Sequence, residues 1–171
     1  LQMAAAVGQT HMMSRYEDLF GKKGCKVGQV LLTHDNFRHK VTLTNARRTM
    51  ETLIRHGVIP IINENDTVAT SEIRYGDNDR LAARVSSMMG ANCLVLLSDV
   101  DGLYTAPPGT PGAEFVELVE DVTGDVIAMA GAPVSGMGSG GMVTKIEAAR
   151  IATGAGAAMV ITSGHQNQPL Q

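Results

Sequence analysis

Short apolar segments that alternate with helical patterns constrain this chain most strongly. Residues 58–62 read Val-Ile-Pro-Ile-Ile and residues 93–97 read Cys-Leu-Val-Leu-Leu, so both segments are apolar at every position. A strand that is apolar on both faces is typical of a buried parallel sheet. Helical spacing of apolar residues precedes each segment, at 43–56 and 80–89. The sequence therefore predicts an α/β layered fold with a mainly parallel central sheet flanked by helices.

The same rules predict the other elements of the chain. Cys93 falls within an apolar run, and we expect its thiol to be buried and inert. The remaining predicted elements are helices at 1–20, 125–130 and 143–154, strands at 27–33 and 158–162, and an edge strand at 115–119.

Length and charge exclude several classes of protein. The 171 residues fit one domain or a large piece of one, with hydrophobic residues at 44%. The net charge of -3 argues against a nucleic-acid partner or an acidic membrane surface. The sequence shows no apolar stretch of membrane-spanning length, no paired cysteines and no metal-ligand spacing of histidines. We therefore expect a cytoplasmic protein without a metal site of its own.

A glycine-rich loop opens the predicted helix near the C-terminus. Residues 135–141 read Ser-Gly-Met-Gly-Ser-Gly-Gly, and Lys145 follows within the first turns of the helix. Glycines let backbone N–H groups approach an anion, and a helix N-terminus favours phosphate. The loop does not match the Walker A pattern, and a surface loop with a solvated lysine explains it equally well.

Polar side chains cluster after the strand at 58–62. Residues 63–66 read Asn-Glu-Asn-Asp, and residues 76–79 read Gly-Asp-Asn-Asp. Amides can donate to a carboxylate and carboxylates can accept from an ammonium, so together they suit a zwitterionic amino acid. Solvated turns explain many such clusters, because Asn, Asp and Gly favour turns.

A third segment follows the second apolar strand. Ser98 and Asp99 lie at its carboxyl end, where ligands bind in parallel sheets, although an ordinary Asx turn is the simpler interpretation. Since the three loops at 63–79, 98–105 and 135–145 each adjoin a strand, we expect them to gather at one rim of the sheet.

Taken in this order, the segments resemble the amino acid kinase family. The Ser-Asp-Val-Asp-Gly-Leu-Tyr turn at 98–104 is widely shared there. The segments at 60–70, 76–83, 28–33 and 135–142 are similar to bacterial glutamate 5-kinases in particular. The resemblance extends over residues 1–164 and implies ATP-dependent phosphorylation of the L-glutamate γ-carboxylate to γ-glutamyl phosphate, the first step of proline biosynthesis, with ATP and Mg²⁺ as cofactors.

The resemblance also assigns roles to single residues. Asp66 and Asn78 correspond to glutamate-binding positions, Asn63 lines the same pocket, and Lys145 and Asp79 are the expected catalytic residues. It divides the chain into a central, glutamate-binding part (1–90) and a nucleotide-binding part (91–171) of a partial amino acid kinase domain. It further implies a homo-oligomer and inhibition by proline. The expected nucleotide-binding residues are Ser98, Asp99, Ser139, Gly140, Gly141, Met142, Val143, Thr144 and Lys145.

Three features found in family members are missing from the sequence. Family members open with a Lys-x-Gly-Ser strand and a Ser-Ser-Gly-Ala loop, and many end in a PUA domain. We therefore expect an N-terminally incomplete kinase domain. The alternative is a truncated, catalytically inactive module that binds nucleotide or partners.

Overall fold

The computed structural model describes residues 2–68, 78–131 and 141–170. The chain divides into two compact units, Leu1–Tyr75 and Gly76–Gln171. Both units combine helices with a parallel strand pair, which confirms the predicted α/β class. The boundary between the units lies between Tyr75 and Gly76, earlier in the chain than the predicted boundary at residue 90. The binding of glutamate by the first part and of nucleotide by the second part stays a prediction.

The first unit is built around a parallel pair of strands with long helices beside it. Because parallel strands need a crossover, the two helices between β1 and β2 supply it. Lys26 pairs with Val58 and Leu32 with Glu64. The elements are α1 (Gln2–Gly21), β1 (Lys26–Leu32), α2 (His34–Arg38), α3 (Lys40–Arg55) and β2 (Val58–Glu64).

Helix α3 packs closely on β1 in this unit. A Cβ at Gly28 would lie 3.2 Å from Leu53 Cδ2 and 3.3 Å from Val58 Cγ1, so only glycine fits there without a shift. Met50, on the same helix, is completely buried. The predicted helix at 43–56 is thus present and packs through Met50 and Leu53, whereas Ile54 is 55% exposed.

The second unit repeats the parallel arrangement with different helices. Cys93 pairs with Ala158 and Ser98 with Ser163, while the short β4 and β5 form an antiparallel pair. Ala83, Leu96 and Ala148 form its core. The elements are α4 (Asn78–Met89), β3 (Cys93–Ser98), β4 (Leu103–Tyr104), β5 (Phe115–Val116), α5 (Gly124–Met129), α6 (Met142–Gly154) and β6 (Ala158–Ser163).

The structure adds one element and corrects two expectations. Residues 34–38, for which no element is predicted above, form the short helix α2, and Asn36 Oδ1 accepts a hydrogen bond from the Thr33 N–H at 2.7 Å and closes its first turn. The predicted edge strand at 115–119 is only two residues long. Cys93 is exposed instead of buried, and Leu97 on the same strand is 52% exposed. Within this unit α4 and α6 cover one face of β3, so an apolar run there did not imply burial on both faces.

None of the helices in the described parts of the chain is long and apolar enough to cross a membrane.

Candidate functional site

Two helices of the second unit run side by side in the same direction. Asp79 of α4 pairs with Lys145 of α6, Arg80 pairs with Glu147, and Ala83 and Ala148 belong to the same core cluster. The residue numbers thus increase in the same direction along both helices. Their N-termini therefore lie at the same end. Helix N-termini carry partial positive charge and N–H groups without intrahelical acceptors, so this end attracts anions.

A lysine is fixed between these two N-termini. Lys145 is only 8% exposed, and its Nζ donates to Asp79 Oδ2 at 3.0 Å. Thr144 Oγ1 lies 2.8 Å from the same Oδ2 and also accepts from the Gly141 N–H at 3.2 Å. An ammonium has three donors, and Asp79 takes one of them. The carboxylate thus holds the cation in place at an anion-attracting end of the unit.

One residue further along α4 and two residues further along α6, a second ion pair joins the same two helices. The Arg80 guanidinium donates through Nε to Glu147 Oε2, and both side chains are partly exposed. Partly exposed pairs contribute little to stability, so the main effect of this one is on the alignment of α4 against α6.

The end of β3 contributes a second charged group. The Ser98 hydroxyl donates to Asp99 Oδ1 at 2.9 Å, and the Gly164 N–H donates to Ser98 O at 2.7 Å. The Ser98 hydrogen bond is the main cause that lowers the pKa of Asp99 below its ordinary value. The backbone hydrogen bond of Asp99 and the positive charge of Lys145 lower that pKa further. Asp99 is therefore an ionised acceptor at the end of β3.

This arrangement predicts the effect of one substitution on a titration. In the Ser98→Ala variant the pKa of Asp99 rises toward its ordinary value of 3.8, because the hydrogen bond to the charged form is lost. The measurement is the titration of the Asp99 side-chain carboxyl carbon by NMR. An unchanged or lower pKa would contradict the assignment of this hydrogen bond.

The first unit contains a separate cavity of about 200 Å³. It lies between α1 and the segment that ends β2, and the Asn65 N–H donates to Leu32 O at 2.7 Å, which joins this segment to the end of β1. The volume is smaller than typical drug sites, roughly 300–1,000 Å³, and suits a small polar molecule. The polar side chains that line it belong to Gln9, Asn63, Glu64, Asn65, Asp66 and Thr67.

Both the NH₂ group and the oxygen of the Asn63 amide make hydrogen bonds. Its Nδ2 donates to Gln9 Oε1 at 3.0 Å, and its Oδ1 accepts from the Glu64 N–H at 3.0 Å. The predicted pocket residue therefore orients a neighbour. Gln9 was missed from the sequence, because a single glutamine on a helix of mixed polarity carries no pattern.

The structure gathers the predicted residues into two groups. Asn63 and Asp66 line the cavity of the first unit. In the second unit Asp79, Ser98, Asp99, Thr144 and Lys145 lie at the strand and helix ends described above, and Asn78 is the exposed first residue of α4. Met142 and Val143 begin α6, with Gly141 as its N-cap. Ser139 and Gly140, with most of the glycine-rich loop, lie outside the described residues, as do residues 69–77.

The chain is thus an α/β protein whose second unit holds a buried lysine at the N-termini of two helices, and whose first unit contains a small cavity. Comparison with known proteins agrees with that class. The profile of the amino acid kinase family matches residues 1–163, so the chain belongs to this family.

Named relatives are similar over nearly the whole chain. A glutamate 5-kinase 1 of Mesorhizobium japonicum is 56% identical over 170 residues, and glutamate 5-kinases of Brucella ovis and Brucella abortus are each 55% identical. Each alignment covers 99% of this chain and 45% of the relative. The chain thus spans about half the length of the curated relatives it matches.

Proposed function

We propose that this chain belongs to a glutamate 5-kinase and transfers the γ-phosphoryl group of ATP to the side-chain carboxylate of L-glutamate. The observation that carries the proposal is the buried Lys145, held by Asp79 between the N-termini of α4 and α6. Relatives named as glutamate 5-kinases support the substrate.

The reaction needs positioning and charge more than a nucleophilic side chain. A γ-carboxylate oxygen of glutamate attacks the γ-phosphorus in line, and the bond from that phosphorus to the β,γ-bridging oxygen breaks as ADP leaves. Lys145 stabilises the negative charge on the transferring group, and Asp79 keeps the ammonium at one position. Positioning of this kind supports the catalytic assignment of both residues.

The nucleotide would be held by the other groups of the second unit. The first turn of α6 offers the backbone N–H groups of residues from Met142 to Thr144 to phosphate oxygens, whereas the Lys145 N–H donates to Gly141 O. Ser98 and Asp99 supply a hydroxyl and an ionised acceptor for polar atoms of ATP. Ser139 and Gly140 extend this nucleotide site in the proposal.

The residues also fit a Mg²⁺ ion that enters with ATP. Within the described ranges no three His, Cys, Asp or Glu side chains form a group able to hold a metal. Mg²⁺ commonly retains waters and is bound by one or two carboxylates together with substrate phosphates. Asp99 is the exposed, ionised carboxylate that suits this role, and the ion would neutralise phosphate charge.

Glutamate would bind in the cavity of the first unit. The Asp66 carboxylate there is an acceptor for the substrate ammonium, while Asn63 lines the same cavity. We propose Asn78, the first residue of α4, as a further glutamate-binding residue. A cytoplasmic location, a homo-oligomer and inhibition by proline at or near this cavity belong to the same proposal.

The test is a coupled ADP-release assay with three acceptors. We expect ADP release that depends on L-glutamate and is weak or absent with N-acetyl-L-glutamate and L-aspartate. Activity with aspartate alone would contradict the proposed substrate.

A second candidate is a module that binds nucleotide without turnover, for which the groups of the second unit at Ser98, Asp99 and the first turn of α6 would suffice. Retained ATP binding without glutamate-dependent ADP release would support it.

A further inference from the structure

The cavity of the first unit contains a buried donor for which the described residues provide no acceptor. Gln9 Nε2 is buried and makes no hydrogen bond to any residue within 2–68, 78–131 and 141–170. A buried polar group is costly unless it is paired, so such a group at a cavity points to an acceptor that enters with a ligand. The same glutamine lines the cavity together with Asp66.

The hydrogen bonds around Gln9 determine which end of its amide faces the ligand. The Glu64 N–H is a fixed backbone donor, and it fixes Asn63 Oδ1 as its acceptor. Asn63 Nδ2 must then be the donor to Gln9, whose Oε1 accepts it. The Gln9 NH₂ group is therefore the end of the amide that can bind a ligand. The orientation of the Gln9 amide follows from these two hydrogen bonds, because a flipped amide would place two NH₂ groups against each other.

The cavity face of α1 leaves space beside that NH₂ group. Ala5, Gly8, Gln9 and Met12 line the cavity at helical spacing, and two of these have little or no side chain. A Cβ at Gly8 would meet nothing within 4 Å. Room for a ligand therefore lies next to the unpaired donor.

We propose that Gln9 Nε2 donates a hydrogen bond to a carboxylate oxygen of the amino-acid substrate. Asn63 acts as a positioning residue, because it holds Gln9 in the required orientation. The inference rests on the proposed function and adds to it a specific donor that complements Asp66, the acceptor for the ammonium. The cavity then offers a hydrogen-bond donor for the carboxylate of a zwitterionic substrate and an acceptor for its ammonium group.

Calorimetric titration with L-glutamate tests the donor in the wild-type chain and in Gln9→Glu. The new carboxylate still accepts from Asn63 Nδ2, but it offers an acceptor where the substrate needs a donor. We expect the affinity for L-glutamate to fall roughly 10- to 100-fold, the range for a hydrogen bond to a charged group. Gln9→Met, which removes the donor without adding charge, should also weaken binding.

Two further variants serve as controls. Thr10→Glu places the same charge on the neighbouring exposed position of α1, outside the cavity lining, and should leave affinity unchanged. Gly8→Leu fills the cavity from a position with open space and should abolish binding. Melting curves for each variant confirm folding.

The outcomes separate the two proposals. Loss of affinity in both Gln9 variants, with Thr10→Glu unchanged, supports the donor. If the wild type binds and Gly8→Leu abolishes binding, while both Gln9 variants bind as tightly as wild type, the cavity is the glutamate site but the Gln9 inference is wrong. A wild-type chain that does not bind L-glutamate overturns both the inference and the glutamate site on which it rests.

Discussion

The Lys145→Met variant should lose glutamate-dependent turnover by roughly 10²–10³-fold, the loss typical when one preorganised donor to a developing charge is removed. Lys145 is the cation that Asp79 fixes at the converging ends of α4 and α6, so its loss removes charge stabilisation from the transferring phosphoryl group. Methionine keeps much of the apolar stem that packs in this buried position. The measurement is kcat from coupled ADP release at saturating glutamate and ATP.

A matched control separates this loss from a general loss of positive charge. Arg47 pairs with Glu51 on the exposed surface of α3, at 2.7 Å, and Arg47→Met should leave kcat within a factor of two. Normal turnover in Lys145→Met would show that Lys145 has no catalytic role.

The same substitution should also lower the free energy of unfolding by about 3 kcal/mol, the lower end of the range for breaking buried ion pairs. In this variant the Asp79 carboxylate has lost its cation, although its side chain is only 19% exposed. In a chain of this size such a loss lowers Tm by roughly 6–12 °C. The measurement is thermal and denaturant unfolding followed by circular dichroism.

A double variant distinguishes the lost pair from lost packing. Asp79→Asn with Lys145→Met removes both charges, so it should regain most of the lost stability while turnover stays low. Arg47→Met should cost at most about 0.5 kcal/mol, because its pair is exposed. A double variant no more stable than Lys145→Met alone would show that the unpaired carboxylate is not the cause.

Local patterns were enough to predict most of the fold. The apolar runs at 58–62 and 93–97 became β2 and β3, and the periodic segments before them became α3 and α4. Gly57 and Gly90 adopt φ values of 70° and 63°, which L-residues with side chains rarely adopt, and end those helices where expected. The burial of β3 was not predictable in this way. An apolar sequence shows that a strand can be buried. Whether the strand is buried depends on which helices and strands pack against each of its faces.

The contacts of the predicted site residues were not predictable from the sequence, and their roles stay predictions. The glycines before Lys145 indicated an anion-binding helix N-terminus, but the same pattern is also typical of a surface loop with a solvated lysine. The structure shows the lysine buried against Asp79, a pairing across 66 positions of sequence that no local pattern encodes. Gln9 is similar, because its partner Asn63 is 54 positions away. Residue type and spacing predict local structure, while such distant pairs depend on how α1, β2, α4 and α6 pack.

Product trapping is the sharpest test of the proposal that this chain phosphorylates the γ-carboxylate of glutamate. An acyl phosphate reacts with hydroxylamine to give a hydroxamate and inorganic phosphate, so γ-glutamyl phosphate is captured as γ-glutamyl hydroxamate. We expect hydroxamate equal in amount to the ADP released with L-glutamate and ATP, and a matching loss of both in Lys145→Met. ADP release without hydroxamate, or neither product from a chain that binds ATP, would contradict it.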